Sequence, residues 1–266
     1  MEIIRPNRMK RKLAAGQPVF GAIIMILDPE LVEIAGMAGL DYIWMDLEHI
    51  NLDWNRAHSC VLAAELHGIT PIIRPTELSG YREYMIQRAL NIGFQGAVLT
   101  GVRNPADMQA MLDIMKFWPA GRRGVGHGRV HERAGERINV GPEVLSEMNA
   151  EIFAGILIES AEGVEKIDEL CAMEGVDAVG LGHRDYAMDA GLPDFDYMKP
   201  GMQDALHRIN DGARRHGKAY FGAASTAEEM RRQIDEGAQI FTMARDIAVW
   251  QARCNAAREL ADEASG

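Results

Sequence analysis

The stretch GLDYIWMDLEHIN, residues 39–51, contains the pattern that decides the fold. A glycine is followed by an apolar residue, then by Asp, and then by a short apolar run. The same order, with Asp or Gln in the third place, opens GFQGAVLT (93–100), GVDAVGLG (175–182) and GAQIFTMA (237–244). A glycine directly after a helical pattern is typical of a left-handed helix cap, and a short continuous apolar run is typical of a buried strand. The repeat therefore predicts four helix-to-strand joins.

Four further apolar segments complete a set of eight predicted strands. The strands are expected near residues 18–26, 42–46, 70–74, 96–101, 153–159, 177–182, 218–224 and 239–244. Amphipathic helical patterns such as DPELVEIAGMAG and YREYMIQRALNIG separate them. Continuous apolar strands that alternate with helices indicate a parallel sheet covered on both faces. Eight such units predict a closed (β/α)8 barrel, the TIM barrel, rather than the alternative of an open doubly wound sheet, because no glycine-rich nucleotide loop follows the first strand.

Length and composition are those of an ordinary globular protein. The chain has 266 residues, of which 47% are hydrophobic and 25% charged, and its net charge is −11. We expect one domain over residues 1–266, with an insert at about 119–150 and a C-terminal helix at about 246–263. The negative charge argues against nucleic acid or an anionic membrane as partner. Three widely spaced cysteines and the absence of an evident secretory signal predict a cytoplasmic protein.

Charged side chains gather where the predicted strands end. Strand 2 runs into Asp46, Glu48 and His49, and strand 3 ends in Arg74. Strand 5 ends in Glu159, and strand 6 leads through Gly182 and His183 into Asp185. The carboxyl ends of all barrel strands share one face, which is where barrel enzymes place their chemistry. These residues are therefore predicted to form a site.

Two of these carboxylates, Glu159 and Asp185, follow neighbouring strands. With few competing His or Cys residues, they suit a hard divalent cation such as Mg²⁺ or Mn²⁺. Spacing alone leaves other roles open. Both residues also precede helical patterns and could cap them, His49 could be a surface residue, and Arg74 could form a plain inter-helix salt bridge.

The ordered motifs resemble those of the HpcH/HpaI family of class II, metal-dependent pyruvate aldolases, which includes 4-hydroxy-2-oxoheptanedioate aldolases. The matching segments, over roughly residues 18–250, are DLEH from Asp46, RP from Arg74, PAGRRG from Pro119, ES from Glu159, and GHRDYA from Gly182. The resemblance implies a single-domain barrel of the phosphoenolpyruvate/pyruvate type. It also implies a magnesium- or manganese-dependent lyase (Co²⁺ being a third choice of metal) that acts on a 2-oxo acid and an aldehyde. Such barrels commonly form homo-oligomers, hexamers or trimers of dimers.

The same resemblance implies a role for each matched residue. Glu159 and Asp185 are the expected metal ligands. His49, Arg74 and Asp46 are the expected catalytic residues: Arg74 beside the developing oxyanion, and His49, oriented by Asp46, moving a proton. Gly182 and His183, together with Arg74, are expected to bind the substrate.

The chain also departs from the family pattern. Leu157 stands where a Gln is common, and His183 and Ala187 replace the usual Pro and Ser around the second metal ligand. Three alternatives follow from a changed substrate wall. They are a decarboxylase, a CoA-thioester lyase of the same enolate chemistry, and a barrel that has lost catalysis and only binds a 2-oxo acid.

Overall fold

Eight parallel strands form a closed barrel in a computed structural model that describes residues 4–126 and 141–265. The strands are β1 (Val19–Ile24), β2 (Tyr42–Asp46), β3 (Thr70–Arg74), β4 (Gly96–Leu99), β5 (Phe153–Ile158), β6 (Ala178–Leu181), β7 (Ala219–Gly222) and β8 (Ile240–Arg245). Each strand pairs with the next along the chain, and β8 pairs with β1. The predicted (β/α)8 fold and its eight strands are confirmed, and the open-sheet alternative is wrong. Residues 127–140 of the predicted insert lie outside the described residues.

Twelve helices occupy the described part of the chain. They are α1 (Arg8–Ala14), α2 (Pro29–Met37), α3 (Trp54–Leu66), α4 (Tyr81–Ile92), α5 (Pro105–Met115), α6 (Pro142–Ala150), α7 (Ala161–Glu165), α8 (Ile167–Ala172), α9 (His183–Asp189), α10 (Pro200–Arg215), α11 (Ala227–Asp235) and α12 (Asp246–Ser265). The repeated glycines act as the sequence indicates. Gly93 is the left-handed cap of α4, with φ of 113°, and Gly39 also has a positive φ of 83°.

Alternation along the strands divides the core into two parts. In β2, Tyr42 and Trp44 point into the barrel, whereas Ile43 and Met45 point outward to the helices. All five residues of β2 are buried, as expected for a parallel strand that is covered on both faces. The inward positions of β2 therefore continue, at the carboxyl end of the strand, to Asp46.

The amino-terminal helix closes the lower end of the barrel. Met9 on α1 is fully buried and belongs to the interior cluster that also contains Phe153 and Ile240. Its backbone N–H donates to Oγ1 of Thr70 at 3.1 Å. Just before it, the buried Asn7 donates through Nδ2 to the carbonyl oxygen of Gln95 at 3.1 Å. Side chains thus fill the floor and the middle of the barrel, and the carboxyl-end mouth is left for a site.

The outer face is least covered near β8. Met243 points outward from β8 and is 46% exposed. The following helix, α12, is tied to the barrel at its start, where Asp246 accepts hydrogen bonds from the backbone N–H groups of Met25 and Ile26. None of the 20 residues of α12 is buried, and its exposed side chains include the large apolar Trp250. Within the described residues, no helix has both the length and the apolar content needed to cross a membrane.

Candidate active site

Strand register places Asp46 and Arg74 side by side at the mouth of the barrel. The two residues are direct partners in the β2–β3 pairing. Both continue an inward-facing series, Tyr42 and Trp44 on β2 and Ile72 on β3. Asp46 is buried, with 3% of its surface exposed. A buried carboxylate requires a partner, and here the partner is the guanidinium of Arg74.

The guanidinium of Arg74 donates two hydrogen bonds to the carboxylate of Asp46. Its Nε donates to Oδ1 of Asp46 at 3.1 Å, and its Nη2 donates to Oδ2. Burial alone would raise the pKa of Asp46, but the hydrogen bonds and charge of Arg74 outweigh it and hold that pKa below its ordinary value. Oδ1 of Asp46 also accepts the backbone N–H groups of Glu48 at 3.2 Å and His49 at 3.3 Å, which fixes the loop after β2.

His49 lies on the open side of this pair and is 55% exposed along its side chain. Its Nδ1 is 2.9 Å from Nη2 of Arg74 and 3.3 Å from Oδ1 of Asp46. A guanidinium can only donate, so the shorter contact makes Nδ1 an acceptor. A neutral His49 in this arrangement therefore carries its proton on Nε2.

Glu48 is a second carboxylate beside Arg74, with its Oε2 3.6 Å from Nε of the guanidinium and 3.8 Å from Nδ1 of His49. Burial raises the pKa of Glu48, and the nearby positive charge of Arg74 offsets only part of that rise. The guanidinium is thus held between two carboxylates at one position. It is a fixed positive charge at the mouth.

A second group of carboxylates faces this one from β5 and β6. Oε2 of Glu159 is buried and has no hydrogen-bond partner among the described residues. Burial, the charges of Asp185 and Glu77 and a hydrogen bond with the side chain of Glu77 raise the pKa of Glu159 to about 8, and the charge of Arg74 lowers it in part. Gly182 leaves room for this side chain, since a β-carbon there would lie 2.2 Å from Cγ of Glu159.

Neither Glu159 nor Asp185 caps the helix that follows its strand. Ser160, not Glu159, caps α7, and its Oγ accepts the N–H of Gly163 at 3.1 Å. The residue before α9 is Gly182, which has no capping side chain, and Asp185 lies in the first turn of that helix. Both carboxylates are therefore available to the cavity.

Loops that follow β2 to β6 enclose one cavity of about 380 Å³. Its lining residues are Glu48, His49, Arg74, Glu77, Gly101, Val102, Arg103, Glu159, Ser160, Asp185 and Asp189. Four of the residues expected from the sequence are thus brought together: His49, Arg74, Glu159 and Asp185. Asp46 lies beneath Arg74, and Gly182 lies against Glu159. The ring of His183 packs edge-on against Tyr197, with centroids 5.1 Å apart.

Sequence reasoning missed three charged residues of the cavity, Glu77, Arg103 and Asp189. Glu77 packs over Gly101, where a β-carbon would lie 3.0 Å from its Cδ. It follows Arg74 by three positions, in the motif RPTE, so its position shortly after a strand end was an available signal. Arg103 likewise lies shortly after a strand end, four residues beyond Leu99, the last residue of β4. Asp189 lies one helical turn beyond Asp185 on α9.

Two sets of side chains in the described residues have the chemistry of a divalent-metal site. Asp46, Glu48 and His49 have ligand atoms within 4.8 Å of one another. Arg74 already occupies the centre of that set, and its charge would repel a cation. Glu159 and Asp185 instead crowd negative charge around a buried oxygen with no partner. A hard cation with oxygen ligands fits the second set better.

Leu157 stands where a Gln is common in the family, and it makes the barrel interior next to these carboxylates apolar. Leu157 points into the barrel, two residues before Glu159, and packs against the interior cluster. An apolar side chain there supplies no hydrogen bond to Glu159. This agrees with the partnerless oxygen of that carboxylate.

Comparison with known proteins agrees with the motifs and the fold. A sequence model of the HpcH/HpaI aldolase/citrate lyase family matches residues 24–250. A 5-keto-4-deoxy-D-glucarate aldolase from Enterobacter sp. (strain 638) is 30% identical over 261 residues, which are 97% of each chain. The crystal structure of an HpcH/HpaI aldolase from Desulfitobacterium hafniense DCB-2 is 31% identical over 96% of each chain, with a TM-score of 0.84. Macrophomate synthase, at 21% identity, shares the fold over 99% of this chain and 93% of its own, also with a TM-score of 0.84.

Proposed function

The chain belongs to the HpcH/HpaI aldolase/citrate lyase family, and from that premise we propose that it is a metal-dependent carbon–carbon lyase, a class II aldolase. The reaction that we infer is cleavage of a 4-hydroxy-2-oxo acid, or its formation, through the enolate of pyruvate. The observation that carries the proposal is the buried, partnerless oxygen of Glu159 in the same cavity as the fixed guanidinium of Arg74.

Glu159 and Asp185 would hold the divalent cation, Mg²⁺, Mn²⁺ or Co²⁺. When bound, such a cation supplies Lewis-acid stabilisation of negative charge on the oxygens of a 2-oxo acid. The raised pKa of Glu159 supports this assignment, because it reflects burial and the charges of Asp185 and Glu77, which the charge of Arg74 offsets only in part. A bound cation would favour the ionised carboxylate.

Arg74 would stabilise the enolate oxygen. Cleavage of the bond between carbons 3 and 4 leaves a negative charge that is absent from the starting acid. A guanidinium that Asp46 and Glu48 already hold in place needs no reorganisation to meet that charge.

His49 would move the proton of the hydroxyl group on carbon 4. In the observed contact with Arg74 the neutral ring carries its proton on Nε2, where it can donate a hydrogen bond to the hydroxyl oxygen. The acid that protonates this oxygen in aldol formation is the imidazolium that results when the ring takes the hydroxyl proton in cleavage. Acting as the base for cleavage requires the other tautomer, with the Nδ1 proton directed at Asp46. Asp46 lies 3.3 Å from Nδ1 and would accept this hydrogen bond once the exposed ring of His49 turns away from Nη2 of Arg74.

The proposed reaction and the relatives support one substrate class. Numbered from its keto end, a 5-keto-4-deoxy-D-glucarate is a 2-oxo acid with a hydroxyl on carbon 4 and a second carboxylate on carbon 6. We propose the same general class here, a 4-hydroxy-2-oxo acid whose cleavage gives pyruvate and an aldehyde. The cavity of about 380 Å³ is large enough for an acid of this size.

Hydrogen exchange of pyruvate tests the proposal without knowledge of the aldehyde. An enolate-forming site should replace the methyl protons of pyruvate with deuterium in D₂O. We expect the proton NMR signal of the methyl group to disappear only when both the protein and Mg²⁺ or Mn²⁺ are present. The protein could bind metal and yet show no exchange of pyruvate protons and no turnover of oxaloacetate or hydroxypyruvate. That result would favour the alternative of a barrel that has lost catalysis and only binds a 2-oxo acid. Release of CO₂ from oxaloacetate without aldol cleavage would favour the decarboxylase.

A further inference from the structure

Arg103 is the second guanidinium in the cavity, and the proposed chemistry leaves it without a role. It follows β4 and is half-exposed, with 51% of its side chain accessible. Five carboxylates line the same cavity: Glu48, Glu77, Glu159, Asp185 and Asp189. An anionic ligand that enters such an acidic cavity needs fixed positive charge at each of its charged ends. Since Arg74 is assigned to the enolate oxygen, Arg103 is the other cation that the described residues place in this cavity for a second anionic group.

The orientation of Arg103 is set by Asp189. Nη1 of Arg103 lies 3.1 Å from Oδ1 of Asp189. The other oxygen of that carboxylate accepts the backbone N–H of Ala161 at 2.8 Å, at the start of α7. These contacts hold the guanidinium at one place through a single nitrogen. Among the described residues, Nε and Nη2 of Arg103 have no partner, and two parallel donors of this kind match a carboxylate.

The spacing along α9 relates Arg103 to the proposed metal site. Asp185 and Asp189 are four residues apart on one helix, which places their β-carbons about 5–6 Å from each other on the same face. In a six-carbon 2-oxo diacid, four carbon–carbon bonds of about 1.5 Å each join the keto carbon to the far carboxyl carbon, a span of roughly 5 Å when extended. This span is comparable to the spacing of the two aspartates, so a ligand with its keto end near Asp185 extends toward Asp189 and the guanidinium paired with it.

We infer that Arg103 selects 2-oxo acids that carry a second carboxylate at the end remote from the keto group. The inference rests on the proposed function for the position of the keto end. It makes Arg103 a specificity residue, and it makes the aldehyde released on cleavage an acid. A plain structural ion pair between Arg103 and Asp189 would give no such selectivity.

Two unreactive acids of equal length test the inference. 2-Oxoadipate and 2-oxohexanoate both have six carbons and no hydroxyl on carbon 4, and only the first has a terminal carboxylate. Their dissociation constants would be measured by calorimetry with the full chain in the presence of Mg²⁺. We expect the wild type to prefer 2-oxoadipate by about tenfold, a modest value because Arg103 is half-exposed.

Variants at Arg103 then assign the preference. Arg103→Met should bring the ratio of the two dissociation constants to within about twofold of unity. Arg103→Lys should give an intermediate ratio, because an ammonium keeps the charge but not the fork, and it serves as the second variant if the Met variant unfolds. Arg232→Met is the matched control. Arg232 also pairs with a carboxylate, that of Glu236, but lies on α11 away from the cavity, and its variant should keep the wild-type ratio.

The outcomes separate this inference from the proposed function. A wild type that exchanges the protons of pyruvate but binds the two acids equally, or binds neither, overturns the inference alone. A preference that survives in Arg103→Met also overturns it. A preference that depends on Arg103 in a protein with no exchange and no cleavage supports the inference and overturns the lyase.

Discussion

Glu159 occupies the space that any side chain at position 182 would need, because a β-carbon on Gly182 would lie 2.2 Å from Cγ and 2.5 Å from Oε1 of Glu159. The carboxylate rests directly on the backbone of the loop that leads to Asp185. The two proposed metal ligands are therefore coupled through a glycine that carries no chemistry of its own.

Gly182→Ala should displace Glu159 and weaken metal binding. We expect the free energy of unfolding to fall by about 1–3 kcal/mol, as for other overpacked sites. The rise in melting temperature on addition of Mn²⁺ should also be lost. Gly124→Ala is the control, because a β-carbon at Gly124 meets nothing within 4 Å. An unchanged response to Mn²⁺ in Gly182→Ala would mean that Glu159 is not a ligand.

Conservative substitutions should distinguish the two sets of acidic residues. In Glu159→Gln the Mn²⁺-dependent rise in melting temperature should disappear, because the amide lacks the charge that holds the cation. In Glu48→Gln the rise should remain, since Arg74 already neutralises that side of the cavity. The reverse result would place the cation among Asp46, Glu48 and His49.

The stability of the metal-free protein should fall as pH rises from about 5 to about 8. The pKa of Glu159 is about 8 in the folded chain, against an ordinary value of 4.5. Between these values the folded state keeps a proton that the unfolded state has lost, so the free energy of unfolding decreases with pH. Urea unfolding in EDTA at several pH values would measure this decrease. It should be smaller in Glu159→Gln and unchanged in the control Glu169→Gln, which alters an exposed carboxylate on α8.

Removal of Arg74 should slow the exchange of pyruvate protons. We expect Arg74→Ala to reduce the rate by on the order of 10²–10³, the usual loss for one donor to a developing oxyanion. His49→Ala should slow the exchange less if water shares the proton transfer. Arg56→Ala, at an exposed position of α3, should exchange at the wild-type rate. A rate in Arg74→Ala within threefold of wild type would exclude the oxyanion role.

The C-terminal helix should hold copies of the chain together. Trp250 on α12 is 69% exposed, and Met243 on the outer face of β8 is 46% exposed. A second copy that lays its own α12 on this face would bury both surfaces. Trp250→Glu should therefore lower the oligomeric state measured by light scattering. Met198→Glu, at an apolar residue of the loop before α10 that is 78% exposed, is the control. A wild-type monomer would contradict the expectation outright.

The strands and part of the site could be predicted because both depend on local rules. Glycine caps and apolar runs locate the strands, and alternation by two residues carries each inward series to a strand end. Asp46, Arg74 and Glu159 lie at such ends, so their placement follows from periodicity and parallel pairing.

Other residues of the site lie beyond those rules. Glu77 and Arg103 belong to loops, whose course depends on what packs against them rather than on any repeat. The tautomer of His49 depends on the contact between Nδ1 and Arg74, which joins two strands. The sequence predicts that α12 is a helix, but it does not show whether the helix packs on its own barrel or on another copy of the chain.

Met9 is buried against residues from the far end of the chain, so the interior of the barrel can be completed only after the last strand has been synthesised. Met9 shares its cluster with Ile240, which lies 231 positions later in the chain. During synthesis α1 leaves the ribosome before all eight strands of the barrel, yet its contacts at the barrel floor cannot all form until β8 has emerged. Until then the growing sheet has open edges and an uncovered interior, the features that lead unfinished chains to aggregate. Such distant contacts also make folding slow. We therefore expect nascent chains of this protein that stop before β8 to be captured by chaperones, and full-length chains to escape them.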